Sequence, residues 1–189
     1  MPTSLICPGI HDLALTDSFV QAFSEASVPL TNILVFPTDR YPAFSGCHIL
    51  RFLRQQLPRQ GHLSRDLVVI SFSAGVVGAI AAAWMWQQTG GQIQAFIALD
   101  GWGVPLLGHF PIYRLSHDYW THWTSALLGS GSESFFADPP VSHLDLWRSP
   151  QTVTGVNVQM TAEGQEVRSP TTAIAFLGKC LHQAQIVGA

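Results

Sequence analysis

Ser73 stands where a side chain can be put to chemical use. Leu67-Val68-Val69-Ile70-Ser71-Phe72-Ser73-Ala74-Gly75 is a β-branched apolar run that ends abruptly in small residues, and an alanine-rich apolar segment, Val76 to Trp86, follows at once. The pattern predicts a buried strand, a sharp turn that carries Ser73, and a buried helix. Two other groups have similar settings. Asp100 follows the apolar run Ala95 to Leu99, and Pro8-Gly9-Ile10-His11 follows the run Ser4 to Cys7. Ligands of a parallel sheet bind at the carboxyl ends of its strands, where Ile10, Ser73 and Asp100 would all lie. Proton-carrying side chains come later, with His109, His117 and His122 in one aromatic stretch and His143 beyond it. Ser71 and Ser73 also suit a plain turn capping a buried helix.

The elements that must position these residues alternate along the chain. The first strand, Ser4 to Cys7, leads through a tight loop to a helix capped by Thr16 or Asp17, with Phe19, Val20 and Phe23 apolar. Asn32 to Phe36 reads as a second strand, stopped by Pro37. Ile49, Leu50, Leu53 and Leu57 form one face of a helix from about Cys47 to Leu57, ended by Pro58. The strand and helix around Ser73 follow, then Thr89-Gly90-Gly91 as a stop and the strand Ala95 to Leu99, which ends at Asp100-Gly101-Trp102-Gly103. Strands alternating with helices predict an α/β fold with a mostly parallel sheet flanked by helices.

Residues 104–131 break the rhythm. They are irregular and aromatic, and end in the turn Ser130-Gly131-Ser132. Glu133 to Ala137 reads as a last sheet strand, Leu144 to Trp147 as the start of a short helix, and Thr152 to Met160 as an edge strand or extended segment. Thr171 to Gln183 reads as the closing helix, with Ser169-Pro170 at its start. No repeat or linker interrupts residues 1–189, so the reading is a single domain with residues 104–131 as a small cap or pocket-lining insertion.

Composition narrows the partners. Charged residues are only 11% of the 189, the formal net charge is −3, and no basic stripe exists, which leaves nucleic-acid binding without electrostatic support. Cys7, Cys47 and Cys180 are odd in number and widely spaced, fitting neither a disulfide framework nor a zinc site and pointing to a reducing cytoplasm. Met1-Pro2-Thr3-Ser4 lacks the features of a signal peptide. Leu67 to Trp86 is uncharged and long enough to cross a bilayer, but the Ser-rich break, Gly75 and Gly78 divide it into two elements, so no integral membrane span is expected. His109, His117 and His122 match no standard metal-ligand spacing, and no cofactor or metal is expected.

The strand–Ser73–helix turn resembles the nucleophile elbow of the α/β-hydrolase superfamily, written G-x-S-x-G, with Gly75 at the second small position and Ser71 in place of the first glycine. The resemblance runs as an order of elements from about Leu5 to His143 and implies a minimal α/β-hydrolase-like fold. It also implies the order nucleophile, acid, histidine, met here by Ser73, Asp100 and His143. Asp118 and Asp138 remain alternatives for the acid, and His117 and His122 for the histidine. An oxyanion hole would take the backbone N–H of Ala74, directly after the serine, and that of Ile10 in the loop after the first strand. The implied activity is cleavage of a small hydrophobic ester or thioester through an acyl-enzyme, with an acyltransferase or a catalytically inactive ligand- or partner-binding scaffold as the alternatives.

Overall fold

The computed structural model describes residues 2–57, 65–101, 103–129, 131–161 and 163–187. In chain order the elements are β1 (Thr3–Cys7), α1 (Leu13–Glu25), β2 (Leu34–Val35), α2 (Gly46–Gln56), β3 (Asp66–Phe72), α3 (Ala74–Gln88), β4 (Gln92–Leu99), β5 (Ile112–Ser116), α4 (Tyr119–Ala126), β6 (Glu133–Ala137), α5 (His143–Arg148), β7 (Thr154–Met160), β8 (Glu166–Thr172) and α6 (Ala173–Val187). They build an α/β fold on one eight-stranded sheet of order β2-β1-β3-β4-β5-β6-β7-β8. The strands from β2 to β6 pair in parallel, and β7 and β8 close the sheet antiparallel.

The alternation of side chains along the central strands creates two cores. Val68, Ile70 and Phe72 of β3, with Ala95, Ile97 and Leu99 of β4, face Phe19 and Phe23 of α1, Leu146 and Trp147 of α5 and Phe176 of α6. Leu67 and Val69, with Phe96 and Ala98, face Ile49 and Leu53 of α2 and Val76, Ile80 and Trp86 of α3. Both faces of these strands are therefore buried, and their apolar runs are continuous for that reason. Strand order reverses between β1 and β3, and the loops that leave these two strands meet at their carboxyl ends.

Several boundaries differ from the sequence reading. The first helix is capped by Asp12, whose carboxylate accepts from the Ala14 N–H (2.9 Å), so it starts before Thr16 and Asp17, and Thr16 lies inside its buried face. The second strand is shortened to Leu34–Val35, with the Phe36 N–H still donating to the Ile6 carbonyl of β1 (2.9 Å). Residues 104–131 supply a fully buried sheet strand, β5, and the helix α4. β6 is not the last strand, β7 is not the edge, and Ser169-Pro170 belongs to β8, where the edge position tolerates a proline. The closing helix begins accordingly at Ala173. Pro58, Trp102 and Ser130, which the sequence reading uses as a helix stop and in turns, lie outside the described residues. No helix among the described residues is long and apolar enough to cross a membrane.

Candidate active site

Ser73 is the hinge between β3 and α3. Its backbone has φ 53° and ψ −125°, a conformation rarely populated by residues with a side chain. Packing on both sides holds it there. A Cβ on Gly75 would lie 2.4 Å from the carbonyl oxygens of Cys7 and Pro8, and one on Gly9 would lie 3.0 Å from the Ser73 Cβ. The loop after β1 therefore rests directly on the turn, and small residues are required at the contact. Ser71, two residues before Ser73, is buried, and its hydroxyl donates to the Ile97 carbonyl (3.2 Å).

Asp100 ends β4 in the left-handed region, φ 50°, and its side chain is almost fully buried. Its N–H donates to the Leu115 carbonyl (2.8 Å), which ties it to β5. One carboxylate oxygen, Oδ1, accepts the backbone N–H of His117 (2.9 Å). The other, Oδ2, is met by two imidazoles, Nδ1 of His143 at 2.8 Å and Nδ1 of His117 at 3.0 Å.

His143 is the first residue of α5, a six-residue helix capped by Ser142, whose hydroxyl accepts from the Asp145 N–H and donates to its carboxylate. The helix is anchored by Trp147, which stacks on Phe19 with centroids 3.7 Å apart. Phe72 stacks on both His143 and Trp147, two residues one helical turn apart. With Nδ1 facing a carboxylate, the proton of neutral His143 belongs on Nδ1. The Nε2 lone pair is left to accept the Ser73 hydroxyl at 3.1 Å.

The three residues assigned from the nucleophile–acid–histidine order thus form one hydrogen-bonded chain. The alternatives have other places. The Asp118 carboxylate caps α4 by accepting the Thr121 N–H and stands 3.5 Å from His117 Nε2. Burial works against its charge, but the Thr121 bonds and His117 hold the carboxyl below the usual range. Asp138 is exposed, and its carboxylate joins none of the cluster's hydrogen bonds. His122 packs on Phe136 instead, and burial lowers its pKa. His109, His117 and His122 do not converge. Among the described residues, the His/Asp group whose donor atoms come within 4.8 Å of one another is Asp100, His117 and His143. The hydrogen bonds just described account for its geometry.

Ala74 opens α3, where its N–H is beyond the reach of any helical carbonyl. Ile10 lies in the loop packed against the turn, with its side chain 76% exposed and lining a cavity of about 610 Å³ with Tyr41 and Phe44. A second cavity, about 430 Å³, opens on the Ser73 hydroxyl and is lined by Ala74, Val77, Val104, Thr121 and the Asp100, His117 and His143 side chains.

Two contributors escape the sequence reading. Phe72 looks like one more apolar strand residue, and nothing in its neighbours marks it as a platform for an imidazole. In the sequence His117 stands as a rival to His143 and in a weak metal-ligand set, whereas it joins the cluster through Asp100. The signal was its place at the end of a strand, hidden because Arg114 interrupts the apolar run of β5. Set against known proteins, the chain matches no family model and no curated sequence.

Proposed function

We propose that the protein is a serine hydrolase that cleaves a carboxylic ester or thioester of a hydrophobic acyl group through an acyl-enzyme. The reading rests on the chain Ser73 Oγ–His143 Nε2 (3.1 Å) and His143 Nδ1–Asp100 Oδ2 (2.8 Å), built on a serine held at positive φ. Nucleophilic catalysis by serine uses such an arrangement: a base beside the hydroxyl and a carboxylate behind the base.

In the first half-reaction the Ser73 oxygen bonds to the acyl carbon while its proton passes to His143 Nε2. Asp100 stabilises the imidazolium that forms. The negative oxygen of the tetrahedral intermediate is assigned to the N–H groups of Ala74 and Ile10, the former aided by the dipole of α3. The intermediate collapses, the carbon–oxygen or carbon–sulfur bond breaks, and His143 returns the proton to the departing alcohol or thiol. Water repeats the sequence on the acyl-enzyme and releases the acid. Val77 and Val104 give the cavity beside Ser73 an apolar wall for the acyl group.

A fluorophosphonate probe tests the reading, because it reacts with serines activated in this way. The wild-type protein should label and Ser73→Ala should not, after which a panel of acyl esters and thioesters defines the substrate. Absence of labelling in the folded wild type would overturn the hydrolase reading and favour a scaffold that binds a ligand. An acyltransferase would label equally and would reveal itself by transferring the acyl group to an added alcohol or amine faster than to water.

A further inference from the structure

Asp100 receives two imidazoles, although the proposed reaction uses one. His117 follows β5 directly, and its Nδ1 lies 3.0 Å from the carboxylate oxygen that also receives His143. Its own backbone N–H holds the other oxygen. The charged and titratable groups facing the His117 ring are Asp100 at the end of β4, the Asp118 carboxylate 3.5 Å from Nε2 at the start of α4, and His143 at the start of α5, with ring centroids 5.9 Å apart.

We propose that His117 is a positioning residue for the reaction, a second imidazole that binds a proton in place of His143 and so keeps the His143 Nε2 lone pair open to Ser73. This rests on the hydrolase reading above. A histidine and a carboxylate in contact invite a proton onto the ring, and a protonated His143 cannot accept the Ser73 proton. When two rings share one carboxylate, the first proton goes to the ring in the more negative surroundings. His117 lies between two carboxylates, whereas His143 has one carboxylate and a neutral hydroxyl. Once His117 is cationic, its charge opposes a second proton on the neighbouring ring. The Asp100 hydrogen bond, opposed by burial and reinforced by the charges of Asp100 and Asp118, holds the His117 pKa above its ordinary value, as this division of labour requires.

The same contacts fix the carboxylate. Oδ1 is held by a main-chain donor that no substitution at position 117 short of proline removes, while Oδ2 is held on one side by the His117 side chain. Substitutions at 117 therefore address the imidazole without releasing Asp100 altogether.

The test is the rate of fluorophosphonate labelling followed from about pH 5 to pH 9, the range in which histidine titrates, in the wild type, His117→Asn and His117→Phe. Asn keeps a neutral donor near Asp100, and Phe keeps the ring without one. In His117→Asn the acidic limb of the profile should move up by about one pH unit, the size expected for loss of a positive charge at this distance. His117→Phe should show the same movement together with a roughly tenfold lower maximal rate, since a hydrogen bond to a charged group is also lost. Acidic limbs that superpose on the wild type would overturn the role of His117 while leaving the hydrolase reading intact. A wild type that is folded but unlabelled at every pH would overturn the hydrolase reading itself. Should the variants not fold, NMR titration of the wild-type His117 ring decides the matter. A midpoint above the ordinary value of about 6.5 supports the role, and a ring still neutral at about pH 5 overturns it.

Discussion

The ring of Phe72 lies stacked on the imidazole of His143, with centroids 4.6 Å apart and an interplanar angle of 24°. Phe72 directly precedes Ser73, so the strand that delivers the serine also carries the platform for the imidazole bonded to it. Trp147 stacks on the same ring at 5.0 Å and joins it to the core beneath α1. The His143 imidazole is thus oriented by hydrogen bonds at both nitrogens and by a flat apolar contact on one face. Phe72→Leu keeps most of the buried volume and removes the platform. It should cost the fold only about 1 kcal/mol, as core swaps of similar size do. Labelling of Ser73 should slow by about tenfold, as expected where a misplaced catalytic group loses its alignment. Urea denaturation and labelling rates together separate the two effects, and an unchanged labelling rate would show that hydrogen bonds alone hold the ring.

Gly75 has no such latitude. The space its Cβ would need is filled by the carbonyl oxygens of Cys7 and Pro8, both backbone atoms of a buried strand end and its loop. Gly75→Ala should force the β1 loop off the turn, with a loss of about 3 kcal/mol, at the upper end of the overpacking range. Gly164→Ala is the matching control, because its surroundings are open and only its positive φ of 78° resists a side chain. The control should lose about 1 kcal/mol. Equal losses in denaturant titrations of the two variants would remove the steric explanation.

The site was legible to the extent that local pattern reflects it. The turn around Ser73 announces itself because a strand buried on both faces, a tight turn and a buried helix each impose composition on consecutive residues. Asp100 was legible for the same reason, at the end of an apolar run. His143 followed from its order in the chain under the family resemblance, not from its neighbours. What stayed hidden depends on contacts between distant segments. The strand Ile112–Ser116 carries a buried arginine in its middle, and nothing local reveals that carbonyls from two flanking segments receive that charge. β8 was equally hidden, since Glu166 to Thr172 is polar, contains a proline and forms the sheet edge, where neither alternation nor apolarity is enforced.

Arg114 itself is therefore a test of how the wall of the cavity is held. Its guanidinium donates to the carbonyls of Val104 (3.3 Å), Leu128 (3.2 Å) and Gly129, joining both ends of the segment that surrounds β5. Burial pushes its pKa down to about 10, so it remains cationic at neutral pH. Arg114→Leu would leave these acceptors without their donor and should destabilise the protein by about 3 kcal/mol, in line with the cost of leaving buried acceptors unsatisfied. Because Val104 lines the cavity beside Ser73, KM for acyl esters should rise more than kcat falls. A variant of wild-type stability would mean that water replaces the guanidinium at all three carbonyls.

The single lysine of the chain supplies a pH-dependent tie far from the site. Lys179 on α6 donates to the Glu133 carboxylate on β6 at 2.7 Å, and Gln183 donates to its other oxygen at 3.2 Å. Burial alone would raise the Glu133 pKa, but the bonds from Lys179, Gln159 and Gln183, with the Lys179 charge, outweigh it and hold the carboxyl below its usual range. A folded pKa below the unfolded one means stability that is fully present above the unfolded value, about 4.3, and is lost as pH falls through the folded value. Lys179→Met removes much of the cause of that depression. At pH near 7 the variant should be less stable than the wild type by no more than about 1 kcal/mol, because the lysine is partly exposed and water screens the pair. As the solution is acidified and Glu133 takes up its proton, the two denaturation curves should converge. A gap that persists unchanged under acid would assign the contribution of Lys179 to the packing of its aliphatic stem rather than to its charge.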